Sequence, residues 1–577
     1  MSRSPQPRIA VIADPHVHDP FADYGFSGME IEGRRMTLRL LADSARSTRV
    51  FNESHQAFHQ ALDDIVAADI RHVVLLGDYS DDGQIATVES IACVLQSYAH
   101  RFGMRFFATT GNHDIFGDRG RHRAKRFMNA DGTYSVVGSD AAVRDRGARA
   151  IIQSDRMYCR GYPEGLGPMA SFGFFPRSHD IHWETPFGSD GEPLTRSYDV
   201  HSPDGRSTRR LMDGSYLVEP FAGVWLLMID ANVFVPVDGM MAGDEGSLAD
   251  STSAGWNAML LHKRFILDWM QDVAGRAKAG GKALLAFSHY PVLDPLNGTV
   301  TDELALLGKT GMTERIPRIA VAEAMADAGI DIHFSGHLHV NDTARSEVAT
   351  RHVINIAVPS LVAFPAAYKI VTIDEARVEI ETKEIDMPLD GAVRSAYAQE
   401  IACSGVDVGG LERVADYGRF LFEHLGYLAG RRYLKRDWPT DMAALFRNAT
   451  LRDIAFLAHL EDACEAGEAL VRLETLREND AAHPGTTVTI SADITALDFL
   501  GDWYRLRMGS GLAMRWIGDE RLAAYRAVGT LLGDRQWPQG TVQQRLSLIF
   551  RMFAAYGAGL PSENFRIDRT TGAIDAV

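Results

Sequence analysis

Short, unbroken apolar runs alternate along this chain with longer stretches in which apolar residues recur every three or four positions. The runs are "RIAVI", "HVVLL", "MRFFAT", "VWLLMI", "KALLAFS" and "IDIHFS". Runs of this length and composition predict buried strands. The periodic stretches predict helices. In "NESHQAFHQALDDIVAAD", Asn52 is the expected N-cap, and Phe58, Ala61, Leu62 and Ile65 share one face. "QIATVESIACVLQSYAHRFG" follows the second run. In "LLHKRFILDWMQDVAGRAKAGG", Leu261, Phe265, Trp269 and Val273 repeat at helical spacing. Strands alternating with helices indicate an α/β layered domain, in which functional groups gather where strands end.

Five of the runs, all but "VWLLMI", end in residues that could hold a metal or form a polar turn. A buried strand end is a costly place for polar groups unless something there needs them. The first run delivers Asp14 and His16, two residues apart, so on an extended backbone they point the same way. The second delivers Asp78, the third Asn112 and His113, the fourth His289, and the fifth His337 and His339. His18 is an extra imidazole, expected to be a solvated loop residue.

Two stretches break the rhythm. Residues 115 to about 215 are rich in Gly, Arg, Asp and Ser with few apolar runs, and are expected to be a long irregular insertion. After the closing strands "VINIAVPSLVAFPAAYKIVTID" and "RVEIETKEI", the pattern becomes helical. The chain is therefore divided into a catalytic domain, 1–387, and a mainly α-helical C-terminal domain, 388–577.

Composition narrows the class. At 577 residues the chain is too long for a single core. Its formal charge is 59 − 76 = −17, which repels nucleic acid and membrane surfaces, so an anionic substrate must be caught locally. The four cysteines (Cys93, Cys159, Cys403, Cys464) form no CxxC pair and read as buried thiols in a reducing compartment. No apolar stretch suggests a secretory signal or a membrane span, and a cytoplasmic location is expected.

In chain order the polar groups form Asp14-x-His16, Gly77-Asp78-Tyr79-Ser80-Asp81, Gly111-Asn112-His113-Asp114, His289 and Gly336-His337-Leu338-His339. This series resembles the calcineurin-like dinuclear metallophosphoesterases, whose signature is DxH, GDxxD, GNH(D/E), H and GHxH. The resemblance covers about residues 8–375. It implies a four-layer αββα sandwich, two β-sheets face to face and flanked by helices. It also implies two divalent metal ions, with Mn, Fe, Zn and Co all compatible with mixed oxygen and nitrogen ligands. Asp14, His16, Asp78 and His339 would hold one ion; Asp78, Asn112, His289 and His337 would hold the other. His113 would stabilise phosphoryl charge or protonate the leaving oxygen, and Asp114 would orient His113 through a hydrogen bond. Asp81 is expected to organise its loop. Purple acid phosphatases carry Tyr where this chain has Asp81, so a ferric-tyrosinate site is not expected.

The residue types suit the chemistry. A phosphoester resists hydrolysis because its oxygens repel an attacking hydroxide. Two cations can bind those oxygens and lower the pKa of a bridging water. The basic run "RGRHRAKR", residues 119–126, could focus anionic substrate into the site, with Arg119 and Arg121 as contacts; a solvated helical face is the competing reading. Arg49 is a further candidate for substrate contact. The expected activity is hydrolysis of a small phosphodiester of the cyclic nucleotide, glycerophosphodiester or nucleotide type. A phosphomonoesterase or protein phosphatase is the alternative. A nuclease is disfavoured by the charge. A metal-binding scaffold recruiting a partner through its C-terminal helices is the alternative of another class, and those helices are also a candidate homo-oligomer surface. The HxHxDH run of metallo-β-lactamase-type hydrolases is absent.

Overall fold

The computed structural model describes residues 6–241, 243–244, 246–478 and 494–577; residues 1–5, part of the N-terminal stretch read above, lie outside them. Two seven-stranded mixed sheets form the centre. In the first, Arg8–Ile12, His72–Leu76 and Arg105–Thr109 run parallel, and Ala367–Ile373 pairs antiparallel with the first of them. In the second, Val224–Ile229, Ala283–Ser288, Ile332–Ser335 and Arg351–Ala357 run parallel.

The apolar runs lack alternation because both faces of each sheet are covered. In Val224–Ile229 one set of side chains, Val224, Leu226 and Met228, joins the core shared with the first sheet. The other set, Trp225, Leu227 and Ile229, packs under helices Arg264–Ala279 and Ile319–Asp327. Period-two geometry splits one apolar run between two cores. Helices Ser54–Ala67 and Ile85–Phe102 add residues such as Leu62, Ile65, Ile91 and Leu95 to the first sheet's core. The fold is the four-layer α/β sandwich. Full burial of each such aliphatic side chain is worth roughly 1.5–3 kcal/mol.

Helices occupy most of residues 391–557, from Gly391–Ser404 to Val542–Gly557. They share one continuous hydrophobic cluster with the first sheet, in which Phe364 and Leu361 meet Tyr417 and Phe422. The chain then returns. Phe565–Asp568 pairs with Arg377–Glu384, and Ile574–Ala576 pairs with Phe565–Asp568, extending the first sheet at its edge. The segment from 388 onward thus returns to the edge of the first sheet.

Several local expectations need correction. Residues 115–215 are not irregular. They form short strands, including Ala124–Met128, Tyr134–Gly138 and Ser197–His201, and His182–Glu184 extends the second sheet. These strands are short and mix polar with apolar residues, so they gave no long apolar run to read. The helix expected across Leu261–Val273 breaks at Lys263, whose ammonium is buried and donates to Asp213 Oδ2 (2.9 Å) and the Asp230 carbonyl (2.8 Å). Its second half buries Ile266, Met270, Val273 and Ala277, while Leu261 is exposed. Asn52 is not the cap: the helix begins at Ser54, and Asn52 bonds the Arg39 backbone and Tyr397 Oη instead. Cys159 and Cys464 are buried, but Cys93 and Cys403 are exposed. His18 is buried against Tyr24, with Nε2 at 2.9 Å from the Thr37 carbonyl. Among the described residues no helix is long and apolar enough to cross a membrane.

Candidate metal centre

The five polar motifs all follow parallel strands, three in the first sheet and two in the second, and they meet at one end of the sandwich. The carboxylates lock the motifs together. Asp14 accepts the backbone N–H of His337 (2.9 and 3.1 Å), joining the first motif to the last. Asp78 Oδ1 accepts the backbone N–H of His113 (2.7 Å), joining the second to the third. Its other oxygen, Oδ2, lies 3.6 Å from His16 Nε2 and 3.2 Å from His289 Nε2.

Two groups of donors result, Asp14/His16/His339 and Asp78/His289/His337, all six buried. Asn112 Oδ1 joins the second group, 3.2 Å from His289 Nε2. Asp78 stands between the two groups.

Hydrogen bonds on the outer side of each ring fix which nitrogen faces inward. His289 Nδ1 donates to the Leu76 carbonyl (2.8 Å), which leaves Nε2 for the centre. His337 Nε2 donates to the Thr252 carbonyl (3.0 Å), which leaves Nδ1, 3.2 Å from His289 Nε2. Asn112 Nδ2 donates to Thr252 Oγ1 (3.0 Å), turning the amide oxygen inward. On the other side His16 Nε2 and His339 Nε2 stand 3.2 Å apart, and His339 Nε2 is 3.4 Å from Asp14 Oδ1. Lone pairs that converge so closely repel unless a cation sits among them, so the donor set fits a pair of divalent ions.

The electrostatics agree. Burial holds His16 and His337 well below the usual imidazole range, so both are neutral and free to ligate. At His289 burial acts the same way but is outweighed by Asp78 and Asp14, which raise it to about 9. That point demands positive charge, for which a proton and a metal ion compete.

The backbone is strained to achieve this. Asp14 (φ 47°), His16 (38°), Asp78 (46°), His337 (69°) and His339 (56°) are all left-handed, and they are five of the ten such non-glycine residues among the described residues. Conformations of this kind cost of order 1–3 kcal/mol each and cluster at functional sites. Asp14 and His16 therefore converge through left-handed turns, not along the extended backbone expected. Two motif glycines have a steric reason. A Cβ at Gly111 would lie 2.1 Å from Asp78 Oδ1, and one at Gly336 would lie 2.3 Å from Asp14 Oδ2.

His113 sits at the rim, its ring 4.9 Å from that of His16. Its orienting partner is not Asp114. His113 Nδ1 is 2.5 Å from Asp82 Oδ1, a residue passed over in the sequence. Asp114 instead accepts from Ser80 N, Ser80 Oγ and Gly111 N, each at 2.9 Å, and braces the two loops from below. Asp81 is buried among Arg39, Arg49 and Lys125, whose charges hold it well below the carboxylate range against the effect of burial.

A cavity of about 470 Å³ opens over the centre, lined by His16, Asp78, Asn112, His113, His337 and His339 on one side. Arg49 lines it too, with Nη2 donating to the Asp81 carbonyl (2.8 Å). Arg119 and Arg121 do not. Arg121 pairs with Asp250 and donates to the Asn112 carbonyl (3.2 Å), and Arg119 is exposed. The basic run lies on strands, not a helix, and its Arg123 and Lys125 are engaged by Asp82. The cavity's opposite wall comes from Thr310–Arg315 and from the C-terminal helices, through Arg432, Tyr433, Arg436 and Tyr504. No spacing in the sequence signalled that wall, because it is assembled from segments more than a hundred residues apart.

The family model "Calcineurin-like phosphoesterase" matches residues 7–153. No curated protein matches the chain. Among solved structures, the chain is similar to a dimetal phosphatase from Danio rerio, with 14% identity, a TM-score of 0.33, and coverage of 66% of this chain and 99% of that one. It is also similar to a phosphopantetheinyl hydrolase from Mycobacterium tuberculosis, at 11% identity and a TM-score of 0.23, over 62% and 90% of the two chains. Similarity that loose says nothing of substrate. The family match over residues 7–153 and the converging donor set rest on different grounds and agree: a calcineurin-like phosphoesterase segment contributes to a set of donors for two metal ions, the equipment of a dinuclear metal-dependent hydrolase of phosphoric esters.

Proposed function

We propose that the chain hydrolyses a small soluble phosphodiester, with its phosphorus at the two donor groups and its organic arms in the 470 Å³ cavity. The observation that carries this reading is the partly closed cavity set directly on the donor cluster. Its volume is that of a pocket for a nucleotide-sized molecule, not a groove for a protein chain or a duplex.

Asp14, His16 and His339 would hold one divalent ion, and Asp78, Asn112, His289 and His337 the other. When bound, such a pair polarises the phosphoryl oxygens and makes a water nucleophilic at neutral pH. The remaining steps belong to side chains. Asp82 Oδ1 accepts the Nδ1–H of His113, so Nε2 is the atom left for the substrate, and in the imidazolium form its N–H is the proton given to the leaving oxygen. Arg49, fixed by Asp81, places a positive charge at the rim beside His113. Thr252 keeps Asn112 and His337 turned inward.

The test compares bis(p-nitrophenyl) phosphate with p-nitrophenyl phosphate on protein loaded with a defined metal. The diester should have the higher kcat/KM. A wide advantage for the monoester would replace this reading with a phosphomonoesterase.

A further inference from the structure

The wall facing the metal centre is more basic than the centre needs. Arg507 is buried and neutralised by Glu303, and Arg436 pairs with Asp437 (2.7 and 3.0 Å). Two guanidinium groups have no such partner among the described residues. Arg315 lines the cavity, makes no ion pair, and has a buried Nε without a hydrogen-bond partner. Arg432 donates only to the Arg46 carbonyl (2.6 Å). A buried donor left without an acceptor is unfavourable, so the folded chain keeps Arg315 there at a loss unless a ligand meets it.

Arg436 repels both of the others. Burial lowers Arg315, Tyr290, Asp78 and Asp250 offset part of this, and Arg436 lowers it further; Arg432 is lowered by burial and by Arg436, with Tyr433 and Asp437 acting the other way. Asp437 is the one carboxylate on this wall outside the Arg507–Glu303 pair and the metal centre. Local charge is thus three arginines against one acid, in a protein of net charge −17.

We propose that the substrate carries a second phosphate, gripped by Arg315 and Arg432 with Arg436 beside them, while the scissile phosphodiester sits at the metal centre. This rests on the phosphodiesterase reading above and adds the substrate class. Guanidinium groups bind phosphate through paired N–H donors, and inside a partly closed cavity such charge-assisted bonds are about twice as strong as neutral ones.

A matched pair of substrates isolates the second phosphate: thymidine 3′-phosphate 5′-(p-nitrophenyl phosphate) against thymidine 5′-(p-nitrophenyl phosphate). On metal-loaded wild-type protein the first should have a kcat/KM at least about tenfold higher, the scale of one charge-assisted contact. In the Arg315→Gln/Arg432→Gln double variant that ratio should collapse to about one. Calorimetric titration with thymidine 3′,5′-bisphosphate and thymidine 5′-phosphate gives a readout without turnover, and should show the same preference and the same collapse. Thermal melting checks that the double variant folds; if it does not, Arg432→Gln alone should lower the ratio. Equal handling of the two ligands by wild type, or a ratio that survives in a folded variant, overturns the proposal. Failure to cleave either ester, with the bisphosphate still preferred in calorimetry, would remove the phosphodiesterase reading and leave the second-phosphate site standing.

Discussion

Asp82 Oδ1 stands 2.5 Å from His113 Nδ1, and the neighbouring carboxylate in sequence, Asp114, faces away beneath the loop. The two acids flank one histidine and do different things. Asp82→Asn should lower kcat about 10- to 100-fold with metal content intact, the scale for loss of an orienting partner. Asp114→Asn should chiefly lower Tm, since a buried acceptor of three donors is disturbed. Metal analysis, kinetics and melting of both variants separate the roles; equal metal loss in both would contradict them.

His113 touches no donor group through its ring nitrogens, whereas Asp78 lies between both groups. His113→Ala should keep two metals per chain and lose roughly a hundredfold or more in turnover. Asp78→Asn should lose metal first. Elemental analysis after gel filtration reads the difference, and a His113→Ala protein stripped of metal would argue that His113 is itself a ligand.

Gly111 and Gly336 have no room for a methyl group beside Asp78 and Asp14. Gly111→Ala should push Asp78 out of place, lowering metal affinity and activity by about 10- to 100-fold while circular dichroism stays native. An alanine variant with full metal content and rate would show that the loop relaxes freely.

Glu53 supplies a pH dependence remote from the metal centre. Burial pushes its carboxyl up to about 7 from the ordinary 4.5, and the bond it accepts from Tyr397 Oη (2.6 Å) offsets only part of this. A folded-state value above the unfolded one contributes stability that is complete below about pH 4.5 and is lost as pH rises through about 7. Glu53→Gln keeps an acceptor for Tyr397 without the charge. It should raise Tm at pH 8, by up to roughly 3 kcal/mol in stability, and change little at pH 4.5. A melting series that shows no pH-dependent difference would refute this.

Much of the centre was legible because its residues follow apolar runs that only a two-sided sheet explains. Strand ends, ligand types and order are local properties of sequence. What stayed hidden is not local. Asp82 was next to a residue already noticed, yet only the path of the loop shows which of three acids meets His113. Thr252, Arg315 and Arg432 reach the site from segments with no motif. The basic run 119–126 misled, because Asp82 and Asp250 had already taken several of its charges. Helix boundaries failed at Lys263 for a similar reason: a buried ion pair overrode an apolar repeat.

The chain leaves the first sheet at Glu384 and re-enters it at Phe565. The helical segment between them is thus anchored to the same sheet edge at both ends, a tighter restraint than one tether would give. Cutting the polypeptide after residue 387 would uncover the edge of strand Arg377–Glu384 and take away Arg432 and Arg436 from the cavity wall, leaving Arg315 alone there. The two parts share one sheet and one hydrophobic cluster, and are best expressed, crystallised and mutated together.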